Sequence, residues 1–377
     1  MNNKDSTINA FLALLQAGLW ENREDSRSSG FNFNGTVDWD EVFRLAEEQS
    51  VVGVVLAGIE HSNIKPYQDF LLQWIGEVQI IEQQNKEMNA FVADLIERLR
   101  KEDVCTILVK GQGIAQCYER PLWRCSGDVD LLLDKNNYQK AKKELVPCAT
   151  YVGKEGIAGK HLGMTVEKWE VELHGTLHSE LSFYIDRQID RIQDTAFKEG
   201  RIRRWRNGDT DIFLPSPDED VIFVFVHILQ HFYKGGIGLR QICDWCRLLW
   251  TYRSELDLRL LESRIRKMGL MSEWKAFGAF AVEYLGMPAE SMLFYSANGK
   301  WKRKANRICT FVMKVGNLGH NRDMSYYKNC PYLIQKITSL SRRCEDMLCH
   351  VKIFPVDSFR FFCCIMFNGI ISMIRGK

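Results

Sequence analysis

The chain has 377 residues, a hydrophobic content of 46% and a formal net charge of +2. These values are typical of a globular protein with two or three domains, and they exclude a global field that would attract nucleic acid or an anionic membrane. The N-terminus lacks a secretory pattern, no apolar segment reaches the ~18 residues of a membrane span, and the cysteines lie scattered among apolar residues, so we expect a cytoplasmic protein with reduced thiols.

Amphipathic helices are predicted along the first hundred residues. Apolar positions recur at spacings of three and four over residues 8–20 and 40–60, and Asp38 or Asp40 is a candidate N-cap for the second helix. A longer helix is predicted over residues 67–101. These helices carry no recognisable chemistry, so we predict an N-terminal helical region over residues 1–101 that serves as a scaffold.

The pattern changes to alternating strands and helices after residue 101, which predicts a domain boundary. Strands are predicted over residues 105–109, 129–133, 162–166 and 169–173. Helices are predicted over residues 111–118, 136–145 and 185–197, with Asn136 as N-cap of the second. A hairpin over residues 202–214 turns at Asn207 and Gly208. The segment 102–215 therefore predicts a compact mixed sheet with helices on one side.

The remaining chain, residues 216–377, reads as a C-terminal helical domain. Pro215 and Pro217 precede a helix over 218–231, a second helix follows over 239–252, and breaks are predicted near 269, 286–288, 298–299 and 331. The apolar segment 359–374 carries Arg360 near its start and is followed by Arg375. It predicts a buried or partner-facing helix, with contact to a membrane surface as the alternative.

Three acidic residues predict a metal site. Asp128 and Asp130 are two apart in a strand pattern, so both face the same way, and two like charges in that position require a cation. Glu172 in the strand WEVELH supplies a third carboxylate and is preferred to Glu170 because of its later position. Oxygen ligands of this kind suit Mg²⁺ or Mn²⁺, and two divalent cations on a rigid strand suit nucleotidyl transfer.

The glycine turn after the first strand predicts a phosphate site. Backbone N–H groups at a helix N-terminus favour a triphosphate, and the residues assigned to nucleotide binding are Lys110, Gly111, Gln112, Gly113 and Arg124. Two structural alternatives stay open. The glycines could serve only helix packing, and Arg124 could pair with Asp128 or Asp134.

Taken together, these motifs resemble the uncharacterised nucleotidyltransferase family within the DNA polymerase β-like superfamily, over about residues 20–300. The residues that carry the resemblance are Lys110, Gly111, Arg124, 127–130, 171–174, His227, His231, Leu239, Arg240 and Asp244. The resemblance implies metal-dependent nucleotidyl transfer by Asp128, Asp130 and Glu172, with phosphate at the turn 111–113. In this chain Gln112 stands where the superfamily has Gly or Ser.

We therefore predict an α+β protein whose small mixed β-sheet nucleotidyltransferase core is flanked by N-terminal and C-terminal helical regions. Its predicted activity is transfer of a nucleoside monophosphate from an NTP to an unknown acceptor, with release of pyrophosphate. The candidate substrate-binding residues in the cleft are His174, His231, Arg240 and Asp244. The alternatives are a nucleotide-binding or regulatory module without turnover, and a helical interaction protein.

Two further clusters of residues each allow a functional and a purely structural interpretation. A tetrahedral zinc site is one interpretation of His227, His231, Cys243 and Cys246; ordinary packing and hydrogen bonding within helices is the other. Arg201, Arg203, Arg204 and Arg206 surround Trp205 and could contact RNA, although a solvated hairpin is favoured.

Overall fold

A computed structural model describes residues 3–21, 37–156, 160–319 and 331–374. Its centre is a five-stranded mixed sheet with the spatial order β1-β2-β5-β4-β3. The strands are β1 (Ile107–Val109), β2 (Val129–Leu132), β3 (Ala149–Val152), β4 (His161–Val166) and β5 (Trp169–His174). Only β2 and β5 pair in parallel, so the α+β class and the mixed sheet are confirmed.

A separate hairpin lies beside β1 and forms a two-stranded sheet. Its strands are β6 (Ile202–Asn207) and β7 (Thr210–Pro215), paired through Asn207 and Thr210. Gly208 has a φ of 60°, the left-handed conformation that such a tight turn requires. The predicted hairpin is confirmed, but its two-residue turn is Gly208-Asp209 and not the predicted Asn207-Gly208, because Asn207 still pairs with Thr210.

In the part of the chain that the structure describes, four helices precede the sheet. They are α1 (Asn3–Leu19), α2 (Trp39–Glu48), α3 (Val52–His61) and α4 (Gln68–Lys101). The single helix predicted over residues 40–60 is wrong, because the chain breaks at Ser50, whose φ is 57°. Tertiary contacts hold the break: the Gln49 side-chain amide accepts a hydrogen bond from the backbone N–H of Leu239 at 2.9 Å. Asp38 caps α2 by accepting from the N–H of Glu41, as predicted.

Among the described residues, three α-helices lie within the sheet region. One N-cap prediction is wrong there, and one strand was not predicted. The helices are α5 (Gly111–Ala115), α6 (Lys135–Leu145) and α7 (Phe183–Lys198). Asp134, and not Asn136, is the N-cap of α6, because its carboxylate accepts the N–H groups of Asn136 and Asn137. The exposed edge strand β3 was not predicted, since its ATYV sequence shows no buried face.

Seven α-helices follow the hairpin within the described ranges 216–319 and 331–374. They are α8 (Pro217–Lys234), α9 (Leu239–Thr251), α10 (Leu258–Met268), α11 (Met271–Leu285), α12 (Gly299–Val315), α13 (Tyr332–Val351) and α14 (Pro355–Ile374). Pro217 occupies the first turn of α8, and three acidic residues follow it at the positive end of the helix dipole. Arg375 lies outside the described residues. Within the described chain, no helix combines the length and apolar character needed to cross a membrane.

Two hydrophobic cores hold these layers together. One joins α4, α6 and the hairpin to the sheet face formed by Val129, Leu131 and Leu173. The other is shared by the N-terminal and C-terminal helices and reaches the opposite sheet face through Leu132. Trp20 connects the N-terminal helices directly to α11, because its indole N–H donates to the carbonyl of Leu285 at 2.6 Å. The second core faces the side of the sheet that carries Asp130.

Candidate active site

A cleft of about 110 Å³ lies between the sheet and the helices α8 and α9. The sheet side and its preceding loops contribute Lys110, Gly111, Ile114, Arg124, Gly127, Asp128 and Asp130. The helical side contributes Val224, His227, His231, Arg240, Gln241 and Asp244. Residues from before and after the hairpin therefore face each other across one opening.

The parallel pairing of β2 with β5 brings two of the predicted carboxylates together. Asp130 is directly opposite Glu172 in the register, and the alternation of side chains puts His174 on the same face. Donor atoms of these three residues all lie within 4.8 Å of one another. In the described part of the chain this is the only group of three or more acidic, His or Cys residues with such spacing. Asp128 lines the cleft but does not belong to this group.

Asp130 is 2% exposed and bonded to the side chains of Lys110 and His174. Its Oδ1 accepts from Nζ of Lys110 at 2.8 Å and from Nε2 of His174 at 2.6 Å. Burial alone would raise the pKa of Asp130, but the charge of Lys110 and the hydrogen bond from His174 outweigh it and hold that pKa well below its ordinary value. Asp130 is therefore ionised at neutral pH.

The pKa values of the other two carboxylates, Asp128 and Glu172, shift in opposite directions. Repulsion by Asp130, followed by burial, raises the pKa of Asp128. The hydrogen bond from His174 lowers the pKa of Glu172 despite its partial burial. Glu170, the rejected candidate, is exposed and accepts instead from the hydroxyl of Thr165 at 2.7 Å. Glu172 therefore belongs to the cluster, whereas Glu170, two residues earlier on the same face of β5, bonds to Thr165.

The glycine turn contributes its first residues to the cleft, while its later residues pack against the protein. Lys110 has a φ of 59°, a strained conformation for a residue with a side chain, and its side chain reaches Asp130. Gln112 is buried and donates to Asn89 on α4 at 2.8 Å. A Cβ on Gly113 would lie 2.7 Å from Leu214. Neither Gln112 nor Gly113 belongs to the cleft lining.

Arg124 is committed to a buried ion pair. Its Nε and Nη2 donate to the two carboxylate oxygens of Asp244, each at 2.7 Å, and Tyr118 donates to the same carboxylate at 2.8 Å. The predicted partners Asp128 and Asp134 are not used. This bidentate pair fastens the loop before β2 to helix α9 and leaves little of either charge for a ligand.

Arg240 lies one turn before Asp244 and has no such partner. Its Nη1 donates to the carbonyls of Cys125 and Ser126 at 3.0 and 3.3 Å, and its buried Nε has no hydrogen-bond partner. Among the described residues, no carboxylate lies within ion-pair distance of it. Burial, and then the charge of Arg124, lower its pKa. An uncompensated guanidinium at the cleft favours an anionic ligand.

The family model for uncharacterised nucleotidyltransferases matches residues 35–286, more than half of the chain. This chain belongs to that family. Membership supports an enzyme with a general nucleotidyltransferase role, and such enzymes typically use divalent metals. Comparisons with curated proteins and with solved structures return no match. The matched region includes every residue of the cleft.

The two histidines of α8 form part of the helical wall in this family member. His227 and His231 have ring centroids 4.3 Å apart. Burial and the charge of Lys110 lower both pKa values, that of His231 to about 4, so both imidazoles are neutral at pH 7. The zinc interpretation is wrong for the described structure, because these histidines form no close cluster with Cys243 and Cys246, which are packed in the core.

The arginines of the hairpin are largely engaged within the protein. Arg203 pairs with Asp220 at 2.8 Å, Arg201 with Asp218 at 3.4 Å, and Arg206 with Asp211 at 3.2 Å. They bind the acidic first turn of α8 and their own hairpin. The RNA interpretation therefore gains no support from this surface.

The structure shows where each predicted substrate-binding residue lies. His174, predicted among them, lies beside Asp130 and Glu172, a position that its period-two spacing from Glu172 indicates. His231, Arg240 and Asp244 all reach the cleft. His227 and Gln241 also line it and were not selected. The i, i+4 spacing of His227 and His231 was the available signal for the first, and nothing in the pattern marks Gln241.

Proposed function

We propose that this protein transfers a nucleoside monophosphate from an NTP to an acceptor, with loss of pyrophosphate. The observation that carries the proposal is the register of β2 and β5, which sets Asp130, a residue of the cleft lining, opposite Glu172. A rigid pair of carboxylates on neighbouring strands suits a site that would hold a divalent cation, which would stabilise the negative charge of the phosphates during phosphoryl displacement.

The donor set fits a divalent cation. Asp130 and Glu172 offer carboxylate oxygens with His174 nitrogen beside them, and Asp128 offers another carboxylate at the mouth of the same cleft. Oxygen ligands suit Mg²⁺, and a nitrogen neighbour is also compatible with Mn²⁺. We assign Asp128, Asp130 and Glu172 as the residues that would hold it. When bound, such a cation neutralises phosphate charge and activates the attacking oxygen.

The chain's own residues would orient the reactants. Lys110 and Arg240 are the cations we assign to the triphosphate, with the backbone of Gly111 beside them. We assign Arg124 to fixing the cleft wall through Asp244, and Gln112 and Gly113 to holding the turn in place. His231, with its neutral imidazole, is assigned to the acceptor side. Arg240 is assigned because it has no carboxylate partner among the described residues. Lys110, which is paired with Asp130, is assigned because it lines the cleft beside that carboxylate.

In the proposed reaction, one bond to the α-phosphorus forms and another breaks. An acceptor oxygen forms a bond to the α-phosphorus, and the bond from that phosphorus to the oxygen bridging the β-phosphate breaks. Pyrophosphate leaves with the electron pair. The acceptor proton passes to a carboxylate oxygen of Glu172, which is ionised because its pKa is lowered. We also propose that the protein acts in the cytoplasm.

The test compares Asp130→Asn and Glu172→Gln with the matched control Glu170→Gln. Mn²⁺ binding is measured by electron paramagnetic resonance, and pyrophosphate release is measured with each NTP across small-molecule, protein and RNA acceptors. We expect the first two variants to lose metal affinity and turnover by at least about 100-fold, and the control to retain both. Metal and NTP binding without turnover under any acceptor would instead support a nucleotide-binding module.

A further inference from the structure

Positive charge is concentrated in the part of the chain that follows the family region. Residues 299–377 contain fifteen Lys and Arg against four Asp and Glu, whereas residues 1–298 contain 35 against 44. The family match ends at residue 286. The net charge of +2 therefore conceals an acidic enzyme region and a strongly basic C-terminal segment.

Helix α14 presents an apolar stripe to solvent. Val356, Phe359 and Phe367 are 76%, 62% and 64% exposed, and Cys363 between them is exposed as well. Their spacings of three and four place all four on one face, the α14 outer stripe. The opposite face is satisfied, because Phe361 and Ile365 are buried in the helical core. The outer stripe is thus surplus to the packing of α14 within the protein.

The basic face of α12 adjoins the beginning of this stripe. Lys300, Arg303, Arg307 and Lys314 are exposed and share one face by their helical spacing. Arg307 donates to the backbone carbonyl of Lys352, one turn before Val356, and Lys304 of α12 lies 4.3 Å from the ring of Phe354. Exposed apolar and exposed cationic side chains therefore meet at one place on the molecule.

We propose that the α14 outer stripe and the basic face of α12 together dock this protein on an anionic membrane surface. Apolar side chains enter the boundary between headgroups and acyl chains, while the cations contact anionic headgroups, as in interfacial helices generally. A nucleic acid would use the cations but has no need of aliphatic groups such as Val356. A second copy of the chain would bring its own basic face to the same contact, where like charges repel.

The experiment uses the full-length protein and vesicle flotation. Vesicles of phosphatidylcholine alone are compared with vesicles that also contain about 30 mol% phosphatidylserine. The stripe variant is Phe359→Ser with Phe367→Ser, and the charge variant is Lys300→Gln, Arg303→Gln and Lys314→Gln. The matched control, Leu72→Ser with Ile80→Ser, removes two similarly exposed apolar side chains from α4, where they are 58% and 54% exposed.

We expect the wild type to float with the anionic vesicles and to be released by salt. The stripe variant should lose at least tenfold in partition coefficient, and the charge variant about fivefold for each cation removed. The control should float like the wild type, and all variants should keep its melting temperature. Failure to float, or an equal loss in the control, overturns the proposal. So does a dimer, or RNA binding, that the stripe variant abolishes.

Discussion

Arg240 lines the cleft and has no carboxylate partner among the described residues. A charge-assisted hydrogen bond to a phosphate contributes about 1.5–3 kcal/mol, so its loss changes affinity by about 10- to 100-fold. We predict that Arg240→Met raises the Kd of a non-hydrolysable NTP by that factor, and that Arg240→Lys, which keeps the charge, raises it less. Fluorescence titration with a labelled triphosphate measures the change.

The control for this substitution is Arg253→Met. Arg253 follows α9 and stacks on Trp250 with its guanidinium carbon 4.0 Å from the ring centroid, remote from the cleft lining. Its removal should leave the Kd unchanged. If Arg240→Met lowers the free energy of unfolding but not NTP affinity, then Arg240 serves only to tie the loop at Cys125 and Ser126 to α9.

Glu273 on α11 predicts a pH dependence of stability. It is 0% exposed, its Oε2 has no hydrogen-bond partner, and burial followed by the charge of Asp357 raises its pKa to about 8 from an ordinary 4.5. Between these two values the folded state holds a proton that the unfolded state releases. The protein therefore loses stability as pH rises from about 5 to 8.

Glu273→Gln removes this penalty, because the amide does not ionise. Its free energy of unfolding relative to wild type should increase between pH 5 and pH 8.5 by on the order of 4 kcal/mol, from about 1.4 kcal/mol for each unit of pKa shift. Urea denaturation at the two pH values measures it. Glu262→Gln on α10, a partly exposed residue paired with Arg266, should show no such pH-dependent gain.

At the scale of single residues, sequence predicts what local periodicity determines. The spacing of two explains why Asp130, Glu172 and His174 could be expected on inward faces. It cannot say which residues face each other across the cleft. Arg124 meets Asp244, 120 positions away, and the expected partners Asp128 and Asp134 were both near it in sequence. Arg124 is therefore held in a long-range ion pair with Asp244, whereas Arg240 has no carboxylate partner among the described residues.

At the scale of elements, α1 and α3 cross at unusually close range. A Cβ on Gly58 would lie 1.8 Å from the carbonyl oxygen of Leu14, and one on Gly18 would lie 1.8 Å from that of Val54. Backbone atoms cannot yield as a flexible side chain would. We predict that Gly58→Ala costs about 3 kcal/mol of unfolding free energy, measured by urea denaturation.

Gly76→Ala is the matched control, since Gly76 lies inside helix α4 with nothing within 4 Å of the added methyl group. Alanine has the higher helix propensity, so this variant should gain about 0.5–1 kcal/mol. Equal effects of the two substitutions would contradict the close crossing of α1 and α3.

Among the elements, long helices and the hairpin were predictable because periodicity and turn chemistry are local. The break at Ser50 was not, because it depends on Gln49 accepting a hydrogen bond from Leu239, 190 positions later. The pairing order of the sheet, β1-β2-β5-β4-β3, likewise depends on contacts that no periodicity encodes. The domain limits 1–101, 102–215 and 216–377 stay a prediction, and the hydrophobic core shared by the first and last of these segments ties them closely.

At the scale of the whole molecule, α8 connects the cleft to the C-terminal helices. One side of α8 carries His227 and His231, and Tyr233 near its end packs against Phe361 of α14 with ring centroids 4.9 Å apart. Phe232 packs in the same way against His350 of α13. The segment beyond the family match therefore shares its core with the wall of the cleft and is not an appended tail.

This shared core predicts a single cooperative unfolding transition that includes α14. Phe361 is 0% exposed, so Phe361→Ala should cost about 3–5 kcal/mol, whereas Phe359→Ala, two residues earlier and 62% exposed, should change stability by no more than about 0.5 kcal/mol. Thermal unfolding is followed by far-ultraviolet circular dichroism and by the fluorescence of a triphosphate bound in the cleft. Because α8 couples the two regions, both signals should shift together in Phe361→Ala; two separated transitions, with the cleft signal unmoved, would show that α13 and α14 unfold on their own.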